Sequence, residues 1–341
     1  MKRAGIPYRA IPAAGVHGVG LRALPRNLWE IGRGVLASRR ILEEFKPEVL
    51  FFTGGYVGVP MALATRIPRR NSNAAPNTWD RPKVLLYVPD IEPGLALKTL
   101  ARLADHIALT VEETGANLPE KVAQTVTGYP VRQELLRWDR ASARQALGLR
   151  DDLPVLLVFG GSKGAHSINQ ALFASLSKLL EKIQVVHISG PMDWSEVQAT
   201  QAALSAAQSA ERATRYHAYP YLHEEMGAAL AAADLVLSRA GASTLGEFPR
   251  FGLPAILAPY PYAWRYQSLN AGYLAERGAA LILPDERLAS ELVSRVSELI
   301  GDTHQLDTMR QAMRVLAHEQ AADSIAALLE DLVPATRLGR N

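Results

Sequence analysis

The sequence contains no cysteine, which excludes disulfide bonds and Cys-ligated metal sites. It also lacks an apolar run of the ~18 residues that a membrane-spanning helix needs. The charged start "MKRAGIPYRA" is not followed by the apolar core of a secretory signal. These absences together predict a protein of the cytoplasm, and 341 residues are enough for two domains of ordinary size.

Acidic residues are scarce near the N-terminus, where residues 1–40 hold eight Lys or Arg and a single acid, Glu30. Such a basic, apolar segment is typical of attachment to an anionic membrane surface. A helix that packs one face into the core and keeps its arginines in water fits the pattern as well. No nucleic-acid-binding motif accompanies the charge, so we expect no nucleic-acid partner. The candidate membrane patch consists of Leu21, Arg22, Leu24, Arg26, Leu28 and Trp29.

Apolar runs typical of strands alternate with helical patterns along most of the chain. This alternation predicts an α/β protein with parallel sheets covered by helices on both faces. A break predicts two domains, 1–131 and 153–332, with a connector at 132–152 and a tail at 333–341. The predicted strands are 47–52, 83–88, 106–111, 153–159, 184–189, 215–221, 234–239, 254–260 and 279–283, and a further strand ends at the stretch 127–132. The predicted helices are 58–67, 94–104, 131–149, 165–181, 193–213, 226–233, 243–251 and two more that reach about residue 332.

The stretch "VFGGSKGAHSIN", residues 158–169, runs from a predicted strand through a glycine turn into a helix. Its spacing matches neither a P-loop nor a dinucleotide fingerprint. The unpaired N–H groups and the dipole of a helix start favour an anion there. Two interpretations stay open, a diphosphate site around Gly161 and Ser162 or a plain strand-to-helix turn.

A second such turn, "SRAGASTLGE", covers residues 238–247. Thr244 and Glu247 have the spacing of an N-terminal capping box. Alternatively, the Glu247 carboxylate accepts hydrogen bonds from a ribose diol. Arg239, at the end of a buried strand, needs an anion as partner.

Other loops after predicted strands carry further candidates. Gln267 and Asn270 begin a helix, and amide side chains suit the hydroxyls of a sugar, although a solvated first turn fits too. Arg132 at the domain boundary is a candidate diphosphate contact or an ordinary ion pair. Asp90 follows a strand, as does the glycine turn formed by Gly54, Gly55 and Tyr56.

Taken in order, "GGY" (54–56), "PVR" (130–132), "GGSKGA" (160–165), "RAGASTLGE" (239–247) and Gln267 with Asn270 resemble the MurG family. This family consists of N-acetylglucosaminyltransferases that form lipid II, and the resemblance runs over about residues 1–332. It implies a GT-B fold, in which two Rossmann-like parallel-sheet domains face a cleft. It further implies a peripheral protein at the cytoplasmic face of the plasma membrane.

The resemblance also assigns roles to residues. It implies that UDP-GlcNAc is the donor, that a polyprenyl-diphosphate-linked muramoyl peptide is the acceptor, and that inverting transfer needs no metal and no cofactor. The loop of Gly54, Gly55 and Tyr56 belongs to the acceptor side. The implied UDP-GlcNAc-binding residues are Arg132, Gly161, Ser162, Arg239, Thr244, Glu247, Gln267 and Asn270.

The chain departs from the family pattern at several points. The family begins with a strand and a "GGTGGH" loop that are absent here, so we expect a first domain incomplete at its N-terminus, with unpaired strands and exposed core surface. The family's "HEQN" is "YVPD" here, which places Asp90 at its Asn. A carboxylate there could deprotonate the acceptor hydroxyl, and Asp90 is therefore the candidate general base.

Three functions stay open at this point. The first is transfer of N-acetylglucosamine to the muramoyl lipid. The second keeps the donor and changes the acceptor to another lipid such as diacylglycerol. The third is a nucleotide-sugar-binding module that is inactive without the missing segment. An oxidoreductase is disfavoured because a dinucleotide fingerprint is absent.

Overall fold

The computed structural model describes residues 5–15, 24–67, 81–207, 210–262 and 266–333. The chain forms two compact units, residues 1–127 with 322–341, and residues 128–321. The predicted connector, 132–152, lies within the second unit, and residues 322–332 group with the first unit. Each unit is built on its own parallel sheet, as the alternation of strand and helix patterns predicts.

The first unit contains four parallel strands that pair in chain order, β1-β2-β3-β4. Its elements are α1 (Leu24–Phe45), β1 (Val49–Phe52), α2 (Gly58–Ala64), β2 (Lys83–Val88), α3 (Leu95–Ala101), β3 (His106–Leu109) and β4 (Ala123–Val126). Strand β2 is buried from Val84 to Val88, because helices cover both of its faces. Strand β1 ends the described sheet, and its Phe51 is 42% exposed.

The second unit has six parallel strands in the order β10-β9-β8-β5-β6-β7. From Arg140 to the end of β10, its helices and strands are α4 (Arg140–Ala146), β5 (Val155–Phe159), α5 (His166–Leu179), β6 (Gln184–Ile188), α6 (Trp194–Ala207), α7 (Ala210–Ala213), β7 (Tyr216–Tyr219), α8 (Met226–Ala232), β8 (Leu235–Ser238), α9 (Glu247–Phe251), β9 (Ala255–Leu257), α10 (Tyr266–Glu276) and β10 (Ala280–Ile282). Two helices, α11 (Leu288–Gly301) and α12 (Thr303–Val315), follow the sheet. The last helix, α13 (Ala321–Asp331), belongs to the first unit from Ala322 onward.

The order of the second sheet reverses at β5. The chain runs outward through β5, β6 and β7, and then returns to the other side of β5 with β8, β9 and β10. The crevice at the carboxyl ends of the strands next to such a switch point is where open α/β sheets bind ligands. This edge of the second sheet is therefore the place to look for a site.

Several predicted helices differ from the observed ones. The helical connector at 131–149 is a 3₁₀ helix (Gln133–Arg137) followed by the short α4, for which Asp139 caps the N-terminus. The helix predicted at 243–251 begins as a 3₁₀ turn (Ala242–Leu245). Two helices were expected after the last strand, whereas the described chain has α11, α12 and α13 there, because Asp302 caps the start of α12 directly after α11 ends.

Candidate functional site

A cavity of about 540 Å³ lies at the carboxyl-terminal edge of the second sheet. The residues around it follow four different strands. They are Gly160 and Lys163–Ser167 after β5, Met192 and Asp193 after β6, Arg239 after β8 and Tyr260 after β9. Gln267 and Asp285 complete the lining. The sheet topology thus brings segments that are far apart in sequence to a single pocket, which we call the switch-point pocket.

The turn after β5 requires glycine at two positions. Gly161 and Gly164 have φ values of +97° and +83°, in the left-handed region, and the N–H of Gly164 donates to the carbonyl of Gly161 at 2.9 Å. A Cβ on Gly164 would overlap the carbonyl oxygen of Ser189 in the loop after β6. The turn therefore packs backbone against backbone. Ser162 is exposed within this turn.

A buried network supports the start of α5. His166, the first residue of α5, approaches Asp193 with its Nδ1 at 3.0 Å. The amide of Asn169 donates to the other carboxylate oxygen of Asp193 at 2.7 Å and to the carbonyl of Ser189 at 3.0 Å. Asn169 thereby ties α5 to the loop against which the glycine turn packs. We did not predict His166 and Asp193 as site residues, although each of them follows a strand and a turn.

The same network continues inward through His187. Its Nε2 lies 2.9 Å from the Asn169 carbonyl oxygen, and its Nδ1 lies 2.8 Å from the hydroxyl of Tyr216. Because the Asn169 oxygen accepts, the Nε2 carries the proton and the Nδ1 accepts from the Tyr216 hydroxyl. Burial lowers the pKa of His187 to about 3, so this ring is neutral, and burial raises the pKa of Tyr216. The inner part of this network, from Asn169 through His187 to Tyr216, is therefore made of neutral groups.

Arg239 lines the pocket, and its anionic partner is a carboxylate of the same chain. The guanidinium donates to the Asp285 carboxylate, to the Ser167 hydroxyl at 2.7 Å and to the Ala258 carbonyl at 2.9 Å, and it lies 5.2 Å from the centre of the Tyr260 ring. Asp285 is the anion that we expected as a partner for this buried arginine. Its carboxylate comes from a different loop, and nothing in the sequence indicates that this loop lies next to Arg239.

The turn after β8 does not form the capping box that the spacing of Thr244 and Glu247 suggested. Thr244 lies in the 3₁₀ turn and its hydroxyl donates to the Gly241 carbonyl at 2.7 Å. Gly246 occupies the N-cap of α9, without a side-chain cap. Glu247 is half-buried, and burial raises its pKa, while a hydrogen bond from Ser243 and the charge of Arg132 act in the opposite direction. Its carboxylate is thus not used to cap the helix.

Two predicted amides lie near this edge. Gln267 lines the pocket, and its Oε1 accepts the backbone N–H of Tyr260 at 2.8 Å. Asn270 is fully buried and donates to the Ala240 carbonyl at 3.1 Å. Asn270 therefore holds the backbone of the turn after β8, and Gln267 is the amide next to the cavity.

Of the residues predicted for the donor, Arg239 and Gln267 line the switch-point pocket. Gly161 and Ser162 belong to the glycine turn at its border, where Gly160 and Gly164 are part of the lining. Arg132 is exposed, and its charge acts on the carboxyl group of Glu247. The structure does not place Thr244, Glu247 and Asn270 in the lining of this cavity. Sequence reasoning missed Lys163, His166, Asp193, Tyr260 and Asp285.

The candidate residues of the first unit follow neighbouring strands. Gly54 and Gly55, with φ values of +113° and +82°, form the turn after β1, and Tyr56 is 52% exposed. Asp90 follows β2 and is half-buried, and its backbone carbonyl accepts the Thr114 hydroxyl at 3.4 Å. Because β1 and β2 pair in parallel, both turns lie at the same edge of this sheet.

Helix α1 presents apolar side chains to solvent. Leu28, Trp29 and Leu36 are 55%, 69% and 62% exposed, and Arg26 is exposed beside them. Leu42 is buried, so part of the helix also packs against the unit. Leu21 and Arg22 lie outside the described residues, as does the side chain of Leu24. Among the helices that the structure describes, none is long and apolar enough to span a membrane.

Within the described ranges, three side chains lie close enough together to bind a metal ion. His166, Asp193 and Glu196 can each offer one ligand atom, and these atoms lie within 4.8 Å of one another. In the structure the Asp193 oxygens interact with His166 and Asn169, and Glu196 accepts from Gln170. The three side chains are thus held by protein partners.

Comparison with protein families gives two matches. The glycosyltransferase family 28 C-terminal domain matches residues 155–328, and the family 28 N-terminal domain matches residues 1–72. The first match spans the whole sheet of the second unit, including every residue of the switch-point pocket.

Individual proteins are similar to this chain over most of their own length. The UDP-N-acetylglucosamine--N-acetylmuramyl-(pentapeptide) pyrophosphoryl-undecaprenol N-acetylglucosamine transferase of Roseiflexus sp. (strain RS-1) is 39% identical, over 97% of this chain and 80% of the relative. The protein of the same name from Desulforudis audaxviator (strain MP104C) is 37% identical, over 97% and 86%. The crystal structure of Acinetobacter baumannii MurG superposes with a TM-score of 0.72 at 26% identity, over 97% of this chain and 86% of that one.

Proposed function

Because this chain belongs to the MurG family of glycosyltransferase family 28, we infer that it transfers N-acetylglucosamine from UDP-GlcNAc to undecaprenyl-diphospho-N-acetylmuramoyl-pentapeptide, which yields lipid II. The structural observation that supports this most directly is the switch-point pocket. It lies at the carboxyl ends of β5 and β8 beside a glycine turn, where an α/β sheet binds a nucleotide.

We propose that the diphosphate of the donor binds at the glycine turn around Gly161 and Ser162. Three features favour a diphosphate there. The start of α5 offers unpaired N–H groups and the positive end of the helix dipole. Lys163 and His166 line the same cavity and supply positive or hydrogen-bonding groups. Arg132 is exposed and adds a positive charge, which acts on the carboxyl group of Glu247.

The ribose is proposed to bind at the turn that follows Arg239, next to the pocket, and the sugar within the pocket. Glu247 does not belong to a capping box, and its carboxylate, which accepts a hydrogen bond from Ser243, is proposed to accept from the two hydroxyls of the ribose as well, with Thr244 beside it. Gln267 is proposed to hold the N-acetylglucosamine, because its amide lies in the pocket lining. Arg239 and Asn270 have the supporting role of fixing the turns that carry these groups.

The chemistry proposed for the chain is an inverting displacement. The acceptor hydroxyl loses its proton as it attacks the anomeric carbon, and the UDP leaves with the bonding electron pair. We propose Asp90 as the general base, a role typically worth roughly 10²–10⁴-fold in rate. The loop of Gly54, Gly55 and Tyr56 is proposed for the acceptor side. The negative charge that develops on the leaving UDP is balanced by the start of α5.

The membrane attachment is proposed to use helix α1. A lipid-linked acceptor is reached at a membrane surface, and the exposed Leu28, Trp29 and Arg26 combine apolar area with positive charge. This composition favours an anionic lipid surface and supports a peripheral position at the cytoplasmic face of the plasma membrane.

Calorimetric titration with UDP-GlcNAc tests the donor site, with UDP-galactose as the competing donor. We expect saturable binding that prefers UDP-GlcNAc and that Glu247→Ala weakens strongly. Glu298→Ala, which removes an exposed carboxylate on α11, is the matched control and should bind as the unmodified chain does. A folded protein that binds neither nucleotide sugar would refute the proposed donor site.

A further inference from the structure

A second cavity, of about 590 Å³, lies at the opposite edge of the same sheet. Its lining includes Asp234, directly before β8, and Gly252, shortly before β9. The Asp234 carboxylate accepts the N–H of Val155 at the start of β5. Since these strands are parallel, their starts share the edge that the switch-point pocket does not occupy. We call this cavity the basic cavity.

The charged groups that line the basic cavity are four arginines and one carboxylate. They are Arg140, Arg250, Arg310, Arg314 and Asp234. Asp234 is already engaged, because Arg140 binds one of its oxygens at 2.6 Å and the buried Arg144 binds the other at 3.0 Å. This single carboxylate therefore cannot neutralise the remaining three arginines of the cavity.

The other carboxylates near these arginines are exposed and lie outside the lining. Arg250 pairs with Glu319 at 3.2 Å, and Arg310 pairs with Asp307, and the two acidic side chains are 70% and 65% exposed. Exposed pairs of this kind contribute little and exchange readily for another anion. Arg314 packs its side chain over Gly252, and among the described residues no carboxylate lies within ion-pair distance of its guanidinium.

The chemistry of the lining fits an oxygen-rich anion that carries a small organic part. Guanidinium groups bind phosphate oxygens in pairs of parallel hydrogen bonds, and several of them around one concavity favour a dianion. The remaining lining includes the apolar side chains of Leu136, Trp138, Leu230 and Phe251. The volume is that of a site for a small metabolite.

We propose that the basic cavity binds a small phosphorylated molecule through its phosphate group, with Arg314, Arg310 and Arg250 as the phosphate contacts. This site is separate from the donor site, because it lies at the amino-terminal edge of the sheet. Donor binding and phosphate binding are therefore expected to occur on the same chain at the same time.

The test is a calorimetric titration of the full chain with inorganic phosphate, in the presence of saturating UDP so that the switch-point pocket is occupied. We expect one phosphate per chain. Arg314→Gln should weaken the affinity about tenfold, as the loss of one charge-assisted hydrogen bond does, and Arg310→Gln/Arg314→Gln should abolish binding. Because Arg314 is exposed and the half-buried Arg310 pairs with an exposed carboxylate, both variants should keep the thermal midpoint of the unmodified chain.

The matched control is Arg295→Gln on α11, an arginine that pairs with Glu291 and Glu298 away from this cavity. It should bind phosphate with unchanged affinity. Absence of saturable phosphate binding, or equal affinity in the chain with Arg314→Gln, would overturn the proposal. Binding to phosphatidylglycerol vesicles that Arg314→Gln abolishes, without any binding of free phosphate, would also overturn it and would indicate a lipid surface instead.

Discussion

Among the residues proposed to bind the donor, Glu247 is the most informative single residue. Burial raises the pKa of its carboxyl group, so the folded chain holds this proton more tightly than the unfolded chain does. Stability from this group is therefore present at low pH and lost as the pH rises through the raised pKa. A carboxyl group in surroundings that disfavour its ionised form is typical of a binding residue and does not stabilise the fold as the ionised form.

The direction of this pKa shift predicts how Glu247→Gln affects stability and binding. At pH 7 the free energy of unfolding should be unchanged or higher, since the variant lacks the carboxyl group whose ionised form burial disfavours, whereas the affinity for UDP-GlcNAc should fall about tenfold or more because an amide replaces the proposed acceptor of the ribose hydroxyls. Denaturant unfolding and calorimetric titration measure the two effects. A variant that is less stable but binds the donor normally would show that Glu247 is a structural residue.

The sequence predicted local geometry only where one segment contains the whole signal, and the roles of these residues stay predictions. The glycine turn around Ser162 was predicted because the strand, the glycines and the helix follow one another. The partner of Arg239 was not, since Asp285 comes from a loop 46 positions later and nothing local connects them. The capping box at Thr244 and Glu247 was a local signal that failed, because a 3₁₀ turn moves the helix start to Gly246.

Among the elements of the second unit, the glycine turn contacts the loop after β6 through its backbone, and the proposed diphosphate site depends on this contact. Gly164→Ala places a Cβ against the Ser189 carbonyl and should displace the turn. Gly148→Ala is the matched control, because Gly148 also has a left-handed φ, +65°, but meets open space. Both variants should lose about 1–2 kcal/mol from the unfavourable φ.

Titration with UDP should then separate the two variants. Gly164→Ala should lose most of its affinity for UDP, whereas Gly148→Ala should bind UDP as the unmodified chain does. Equal UDP affinity in both variants would mean that the turn is not the diphosphate site.

The hydrogen-bond chain behind α5 predicts a pH dependence of stability. Burial lowers the pKa of His187 to about 3, while an unfolded histidine titrates near pH ~6.5. Because only the unfolded chain takes up this proton, stability should fall as the pH drops from ~6.5 toward 3, by at most about 1.4 kcal/mol per pH unit. His187→Gln should show a shallower decline in denaturant unfolding between pH 7 and pH 5. Equal slopes would indicate that His187 is not held neutral.

Elements with strong periodicity were predicted well, and their ends were not. The buried runs at Val84–Val88 and Val155–Val158 are strands, and a short continuous apolar run is typical of a strand in a buried parallel sheet. The helices near the C-terminus were undercounted, since α11 and α12 meet at Asp302, where one residue ends one helix and caps the next. A boundary of that kind leaves almost no gap in the helical pattern.

At the scale of the whole molecule, the account predicts attachment to an anionic membrane through α1. Leu28→Glu/Trp29→Glu removes apolar area and adds negative charge, so binding to phosphatidylglycerol vesicles should fall roughly tenfold or more. Val315→Glu is the matched control, since Val315 is 83% exposed on α12 and lies in the other unit. Vesicle flotation measures the effect, and equal binding of both variants would exclude α1 as the membrane contact.

The central claim is tested most directly by following transfer of radiolabelled N-acetylglucosamine from UDP-GlcNAc to the undecaprenyl-linked muramoyl pentapeptide, with and without EDTA. We expect the label to enter the lipid at the same rate in both conditions, because the proposed displacement uses only side chains and the N-terminus of α5. A rate that EDTA abolishes would contradict the metal-free chemistry and direct attention to His166, Asp193 and Glu196. A chain that binds UDP-GlcNAc but leaves the lipid unlabelled would contradict the proposed transfer itself.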